Sequence, residues 1–383
     1  MDELDRGDPM RILIVGNAHR AEIRGPLIYY QGLATALRDR GHDVTLLQSA
    51  RAGHRFALPG VRMEDLATTR KSTLPLHLAA RRLGRYDVVH TNGPSGSGFA
   101  LRNRFHRVPM VAMFHAPRLR TESFLGTNWR WRHIEITARM APNLLVSTRW
   151  LATAFSERFG VPRARFNVIP LGMQDWWFSS YRSPAENRKE IRVVLVNMKG
   201  VDVALRAFAK AAVGRDVHLE LFGVDKEIDL HRSLAAELGI ERQVCFAGFV
   251  ENRELAGRVC GADLLLHTTR AESFGQVLGE AAALGIPSVA SDVNAVPEVV
   301  VHGETGLLCP VDDVDAFARA LGDLLESPEA RRRMGEAARA RAEQLWRWEN
   351  VVRRLEQEVY LPISRGMETR PAEWLGNTPP AGE

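Results

Sequence analysis

The chain has only three cysteines, Cys245, Cys260 and Cys309, among 383 residues. They are scattered, with neither the paired spacing of a metal site nor the density of a disulfide-stapled secreted domain, so three buried and inert thiols are expected. Long apolar runs are also lacking, and none approaches the roughly 20 residues that cross a bilayer. The first residues lack the net positive charge of an export signal, carrying Asp2, Glu3, Asp5 and Asp8 against Arg6. A disordered leader over 1–9 on a cytoplasmic protein is the expectation. Lysine is scarce too: there are five, so nearly all the positive charge is arginine. Those arginines are dispersed without interleaved aromatics, which argues against nucleic acid as a partner.

What is present is globular, with 45% hydrophobic and 25% charged residues, and long enough for two domains of similar size. The charge is unevenly spread. Residues 11–180 hold 25 Lys and Arg against 10 Asp and Glu, whereas residues 181–383 hold 25 against 32. A basic first half suits an anionic partner, either a phosphorylated acceptor or a membrane surface. Arg70, Lys71, Arg81, Arg82, Arg85, Arg102, Arg104 and Arg107 are the residues that would meet head groups in a peripheral contact. Arginine-rich codon usage would explain the residue type but not the asymmetry.

Short apolar runs alternate with helical patterns. Arg11–Val15 reads as a buried parallel strand. A helix follows from Gly25-Pro26, proline suiting the first helical position, and Val44–Leu47 is the next strand. Further strands are expected at Asp87–His90, Met110–Phe114, Asn143–Val146 and Phe166–Ile169, with a helix over Trp150–Phe159. Between Met173 and Glu190 the pattern dissolves, which places a domain boundary near residue 180. A second series has strands at Arg192–Val196, His218–Phe222, Val244–Ala247, Leu264–His267 and Ser288–Ala290. The expected fold class is α/β: two Rossmann-like, doubly wound parallel-sheet domains, 10–180 and 181–345, facing a cleft. Helices over Val314–Leu325 and Pro328–Gln344 close the second domain. A crossover helix at 346–365 and a loose tail at 366–383 would end the chain.

The segment richest in chemistry is Thr269–Pro287. It follows a strand, and Ser273–Gln276 is expected to begin a helix whose N–H groups and dipole suit a diphosphate. Glu272 stands just before that helix, and Glu280 lies about a turn inside it, where a carboxylate can accept from a ribose diol. Capping for Glu272 and simple solvation for Glu280 are the bland alternatives. The flanking pattern favours the functional reading: Glu272 and Glu280 with seven residues between them, then Ser288–Asp292, Val296–Val300 and Gly303–Leu308 in order.

With these motifs the chain resembles the retaining glycosyltransferases of family 4, of the GT-B fold, across most of residues 10–362. The resemblance implies transfer of a sugar from a nucleotide-diphosphate sugar, UDP being the commonest nucleotide, with no metal or other cofactor. It assigns the donor diphosphate to Lys199, Gly25 and the helix start at Ser273, Phe274, Gly275 and Gln276. It also assigns the base to Phe249 and Val250, the ribose to Glu280, the sugar hydroxyls to Glu272, and a place near the anomeric carbon to His115. The acceptor would be a small molecule, phosphorylated or lipid-linked, of bacterial natural-product or glycolipid biosynthesis. Trp129, Trp131, Trp176 and Trp177 would line the acceptor side or serve as core.

Three departures from the family pattern stand out. Val193–Met198 runs straight into Lys199, so the loop there is short and lacks the arginine that family members bring to the diphosphate. Arg24 replaces the first of two paired glycines. Asn294-Ala295 stands where a glycine-rich loop is usual. Sugar-nucleotide epimerases and cofactor-dependent phosphorylases share the architecture and are the rival enzyme classes. Binding to an anionic surface, with donor activity lost, is the non-enzymatic rival.

Overall fold

The computed structural model describes residues 8–16, 24–48, 57–65, 85–93, 97, 99–101, 103, 107–115, 129–182 and 190–369. The chain divides into two compact units. Among the described residues, one runs up to Gly172 and takes in 348–369, and the other is Met173–Arg347.

The first unit holds a seven-stranded sheet. Its strands are β1 (Arg11–Val15), β2 (Asp43–Gln48), β3 (Arg62–Asp65), β4 (Val88–Asn92), β5 (Met110–Phe114), β6 (Asn143–Val146) and β7 (Phe166–Val168). They are ordered β3-β2-β1-β4-β5-β6-β7, with every pairing parallel. β4 and β5 are buried along their whole length, because crossovers cover both faces and leave no exposed row. β3 was not expected: Arg62-Met-Glu-Asp65 is three-quarters charged, as an edge strand can be. Helix α1 (Arg24–Asp39) buries Tyr29, Tyr30, Leu33, Ala34 and Leu37 at helical spacing. α2 (Trp129–Met140) also escaped the sequence reading. α3 (Arg149–Phe159) starts at Thr148, whose hydroxyl accepts the Leu151 N–H, and stops at left-handed Gly160.

The second unit has six parallel strands: β8 (Ile191–Val196), β9 (Val217–Phe222), β10 (Val244–Gly248), β11 (Leu264–His267), β12 (Ser288–Ser291) and β13 (Gly306–Cys309), ordered β10-β9-β8-β11-β12-β13. Its helices are α4 (Asp175–Ser179), α5 (Val201–Ala211), α6 (Ile228–Glu237), α7 (Asn252–Val259), α8 (Gln276–Ala283), α9 (Val296–Val299), α10 (Val314–Glu326) and α11 (Pro328–Leu345). α5, the inner strands and α10 share one core that includes Leu195, Phe208, Leu219, Leu266, Phe317 and Leu321.

The boundary lies earlier than the expected residue 180. Met173 already belongs to the second unit, its N–H bonded to the Trp346 carbonyl at 2.7 Å. α4, inside the stretch expected to be irregular, buries Trp177 and Phe178. Trp176 and Trp177 are therefore part of the second unit, not of the first. At the other end, the Trp346 ring meets Phe274 edge-on within the second unit, and the return to the first unit begins at Trp348. In place of one crossover helix there are α12 (Trp348–Leu355), a π turn over Glu356–Tyr360 and α13 (Leu361–Ser364).

The returning segment is anchored chemically. The Trp348 ring fills the space over Gly32 and Gly172 so closely that neither position has room for a Cβ. Arg40 Nε donates to both oxygens of the buried Glu356 at 2.8 and 2.7 Å, and His42 Nε2 lies 2.8 Å from Glu356 Oε1. The tail is not loose from residue 366: the Asn167 amide donates to Thr369 Oγ1 at 3.3 Å. Residues 1–7 and 370–383, the rest of the expected leader and tail, lie outside the described residues.

The thiols differ from expectation. Cys309 is buried and burial pushes it up to about 11, but Cys260 is half-buried and Cys245 exposed. Among the described residues no helix is long and apolar enough to cross a membrane. Of the basic residues expected to meet head groups, only Arg85 and Arg107 are described.

Candidate active site

In the second unit the chain builds outward from β8 through β9 to β10, then crosses to the other side of β8 to place β11. The loops leaving β8 and β11 therefore diverge at a switch point, where open α/β sheets bind ligands. β8 delivers Asn197–Gly200, and β11 delivers Thr268–Gly275.

The β8 loop is short and tightly wound. Asn197 (φ 76°), Met198 (φ 49°) and Gly200 (φ 63°) are all left-handed. A non-glycine residue held there costs about 1–3 kcal/mol and persists only where its surroundings enforce it. The enforcement is visible: Gly200 lies against the Thr268 carbonyl with no space for a Cβ, and Thr268 Oγ1 donates to the carbonyls of Lys199 (3.1 Å) and Gly200 (2.8 Å). The turn sends Lys199 Nζ to within 2.6 Å of Glu272 Oε2.

Glu272 is well enclosed, its side chain 13% exposed. Burial alone would raise its carboxyl, but the ring of His267, 3.5 Å away at Nε2, and the Lys199 ammonium outweigh that and hold it at about 2. It is ionised at neutral pH. Its backbone N–H donates to Asn294 Oδ1 at 3.3 Å, and its own Oε1 accepts the Ser273 N–H at 3.2 Å. Asn294 takes a left-handed φ of 52°. It thus supplies the conformation expected of the missing glycine and adds a side-chain acceptor.

The helix start corrects the sequence reading. α8 begins at Gln276, capped by left-handed Gly275, so Ser273 and Phe274 lie outside it. Phe274 is 2% exposed, packed on Trp346, so its side chain is core and only its backbone could meet a ligand. Gly275 has no Cβ to crowd Leu278 Cδ1, which would be 2.8 Å away, or Glu272 Cγ. The first-turn N–H groups from Gly275 onward remain as an anion-facing end.

Glu280 lies on α8, half-buried, with Oε1 accepting from Asn252 Nδ2 at 2.9 Å. Burial pushes its carboxyl up to about 7, against the pull of that hydrogen bond. Phe249, 47% exposed, and Val250 follow β10 at the sheet edge, two strands from β8. In the first unit, Gly25 is the second residue of α1. His115 closes β5, its Nε2 3.1 Å from the Tyr30 hydroxyl and its ring edge-on to Tyr29. Burial lowers His115 to about 4, so the ring is neutral. Behind it, His90 is wholly buried with Nδ1 2.6 Å from the Tyr360 hydroxyl, and burial followed by the neighbouring His115 lowers it to about 3.

The structure therefore joins Lys199, Glu272 and the α8 start. Sequence reasoning missed His267, Asn252, Asn294 and Tyr30. A histidine ending a strand and an asparagine opening a helix carry no signal by themselves. Only the Asn294 position was marked, as a departure from glycine.

The profile of Glycosyl transferases group 1 matches residues 191–341, and that of Glycosyltransferase Family 4 matches residues 24–175. The chain is 30% identical to the MMP alpha-(1->4)-mannosyltransferase of Mycolicibacterium hassiacum, over 89% of this chain and 96% of that protein. This chain belongs to glycosyltransferase family 4. The enzyme is also 37% identical to the D-inositol 3-phosphate glycosyltransferase of Corynebacterium glutamicum, over 82% of its length and 86% of the relative. Its fold is that of Anabaena HepE, solved in complex with UDP and glucose, with a TM-score of 0.72 at 20% identity over 91% of this chain and 98% of that one. Both units are thus those of a GT-B glycosyltransferase.

Proposed function

We propose that this glycosyltransferase takes its sugar from a nucleotide-diphosphate sugar, UDP-linked by preference, and transfers it with retention to a small phosphorylated or lipid-linked acceptor. The observation that carries this is the Lys199–Glu272 pair, 2.6 Å apart at the β8/β11 switch point beside the start of α8. A cation and a helix N-terminus together form a diphosphate site. The adjoining carboxylate, ionised at neutral pH, accepts from hydroxyls of the sugar attached to that diphosphate.

In the proposed reaction the bond between the anomeric carbon and the diphosphate oxygen breaks, and Lys199 with the first turn of α8 stabilises the charge gathering on the leaving group. The acceptor hydroxyl attacks from the same face, and its proton passes to the departing phosphate oxygen. No protein base is needed. The family resemblance gives His115, neutral beside Tyr30 in the first unit, a role toward the transferred sugar, and gives Phe249 with Val250 the base.

For the acceptor, two features agree. The first half of the chain is strongly basic, and one relative is named for a phosphorylated cyclitol. Product anomeric configuration, read by NMR, tests the mechanism: an inverted linkage would remove it. A melting-temperature panel of UDP, GDP, ADP and dTDP tests the donor, with UDP expected to give the largest rise. Donor rearrangement without any acceptor would instead favour an epimerase. Salt-sensitive flotation with anionic vesicles is expected only for a lipid-linked acceptor.

A further inference from the structure

The Glu280 carboxylate does not stand alone. Asn252, the first residue of α7, donates from Nδ2 to Glu280 Oε1 at 2.9 Å, and its Oδ1 accepts from Trp176 Nε1 and Trp177 Nε1, each at 3.1 Å. An indole N–H can only donate, so the oxygen of the amide must face the two tryptophans and the NH₂ must face the carboxylate. The orientation of the amide is therefore fixed by chemistry. Both lone pairs of Oδ1 are occupied, and Glu280 Oε1 gives one of its two lone pairs to Asn252, so Oε2 is the less encumbered oxygen for a ligand.

Three elements meet in this chain of bonds: α4 supplies the indoles, α7 the amide and α8 the carboxylate. Asn252 also follows Phe249-Val250 by two residues, so the segment that ends in the base-facing loop is tied directly to Glu280. A side chain used only to satisfy a half-buried carboxylate would not need its own rotamer locked by two further donors.

We infer that Asn252 is a positioning residue for donor binding, its amide held by Trp176 and Trp177 so that Glu280 presents one carboxylate oxygen to the ribose diol of the nucleotide. This rests on the proposal that Glu280 binds that ribose. It adds a specificity device, selection of ribonucleotide over deoxyribonucleotide, in which Asn252 and the two tryptophans act through Glu280.

Calorimetric titration with UDP, 2′-deoxy-UDP and 3′-deoxy-UDP tests it. The unmodified enzyme is expected to prefer UDP by about 10-fold or more, the worth of one charge-assisted hydrogen bond. Asn252→Ala should abolish most of that preference by weakening UDP while leaving the deoxynucleotides nearly unchanged. Asn252→Asp keeps the shape and the acceptor for both indoles but removes the donor to Glu280. It should lose the preference in the same way, and it serves if the alanine variant fails to fold. Equal weakening of all three nucleotides would reduce Asn252 to a structural part and overturn the inference. So would a preference retained in both Asn252 variants but lost in Glu280→Gln. A preference retained in Glu280→Gln, or absent from the unmodified enzyme, would instead remove the ribose assignment, and the inference with it.

Discussion

Glu272 and Glu280 lie on one short stretch, yet their surroundings drive their acidities apart. Burial acts on both in the same direction, but only Glu272 has a cation and an imidazole within reach to reverse it. For Glu280 the folded protein binds a proton more tightly than the unfolded chain. Its contribution to stability is complete below about pH 4.5 and is lost as pH rises through about 7. Glu280→Gln should therefore stabilise the unliganded enzyme at pH 8 by on the order of 2 kcal/mol, with little change at pH 4.5, as read by denaturant unfolding. The ribose needs the ionised acceptor, so UDP affinity in the unmodified enzyme should rise between pH 6 and 8, and titration calorimetry across that range would show it. Lys199→Ala should lower kcat/KM by about 10- to 100-fold, because one charged contact to the leaving diphosphate is lost. An unchanged kcat/KM would exclude Lys199 from the diphosphate site. The two glutamates and the lysine were legible in the sequence because their spacing repeats a family pattern. His267 was not, because what matters about it is a 3.5 Å approach to Glu272.

At the scale of elements, the backbone does what side-chain motifs only hint at. The expected helix start at Ser273 slips to Gln276 because Gly275 turns left-handed and caps α8 itself. Gly275→Ala should be destabilising by about 1–3 kcal/mol, since it forces an L side chain into that conformation and presses a Cβ toward Leu278. Melting temperature measures this. Asn294 illustrates the opposite substitution. The sequence marked it as a missing glycine, but asparagine tolerates a left-handed φ, and its side chain also accepts the Glu272 N–H. Asn294→Gly should keep the turn and lose only that bond, whereas Asn294→Ala loses both. The alanine variant is therefore expected to fall further in kcat/KM. β3 and α2 went unread for a simpler reason. A charged edge strand and a helix rich in arginine lack the apolar periodicity on which such reading depends.

At the scale of the whole molecule, the first unit is closed by residues far from the rest of it in sequence. The segment after Arg347 completes the first unit by setting Trp348 over Gly32 and Gly172, Glu356 between Arg40 and His42, and Tyr360 against His90. Trp348→Ala should cost about 3–5 kcal/mol through the cavity it leaves, read as a fall in the unfolding midpoint. Glu356 is a buried carboxylate offset by the part-buried Arg40 guanidinium, so Arg40→Ala, which strands that charge, should be comparably costly. Such contacts join positions 314 to 316 residues apart and leave no trace in local pattern. Local pattern accordingly suggests one return helix from 346, whereas the segment that packs on the first unit starts at Trp348 and is broken by a π turn.

By itself the sequence determined the two parallel sheets, nearly all of their strands and the family, because a strand buried on both faces must be a short apolar run and a glutamate pair at fixed spacing leaves a linear mark. Tertiary structure alone decided where the units divide, which helix-start groups remain for a diphosphate, and how the carboxylates are charged. It also turned the shortened β8 loop from an apparent loss into a left-handed turn that delivers Lys199 to Glu272. Those properties depend on burial and on distances between segments far apart in the chain, and neither is encoded in any one stretch of it.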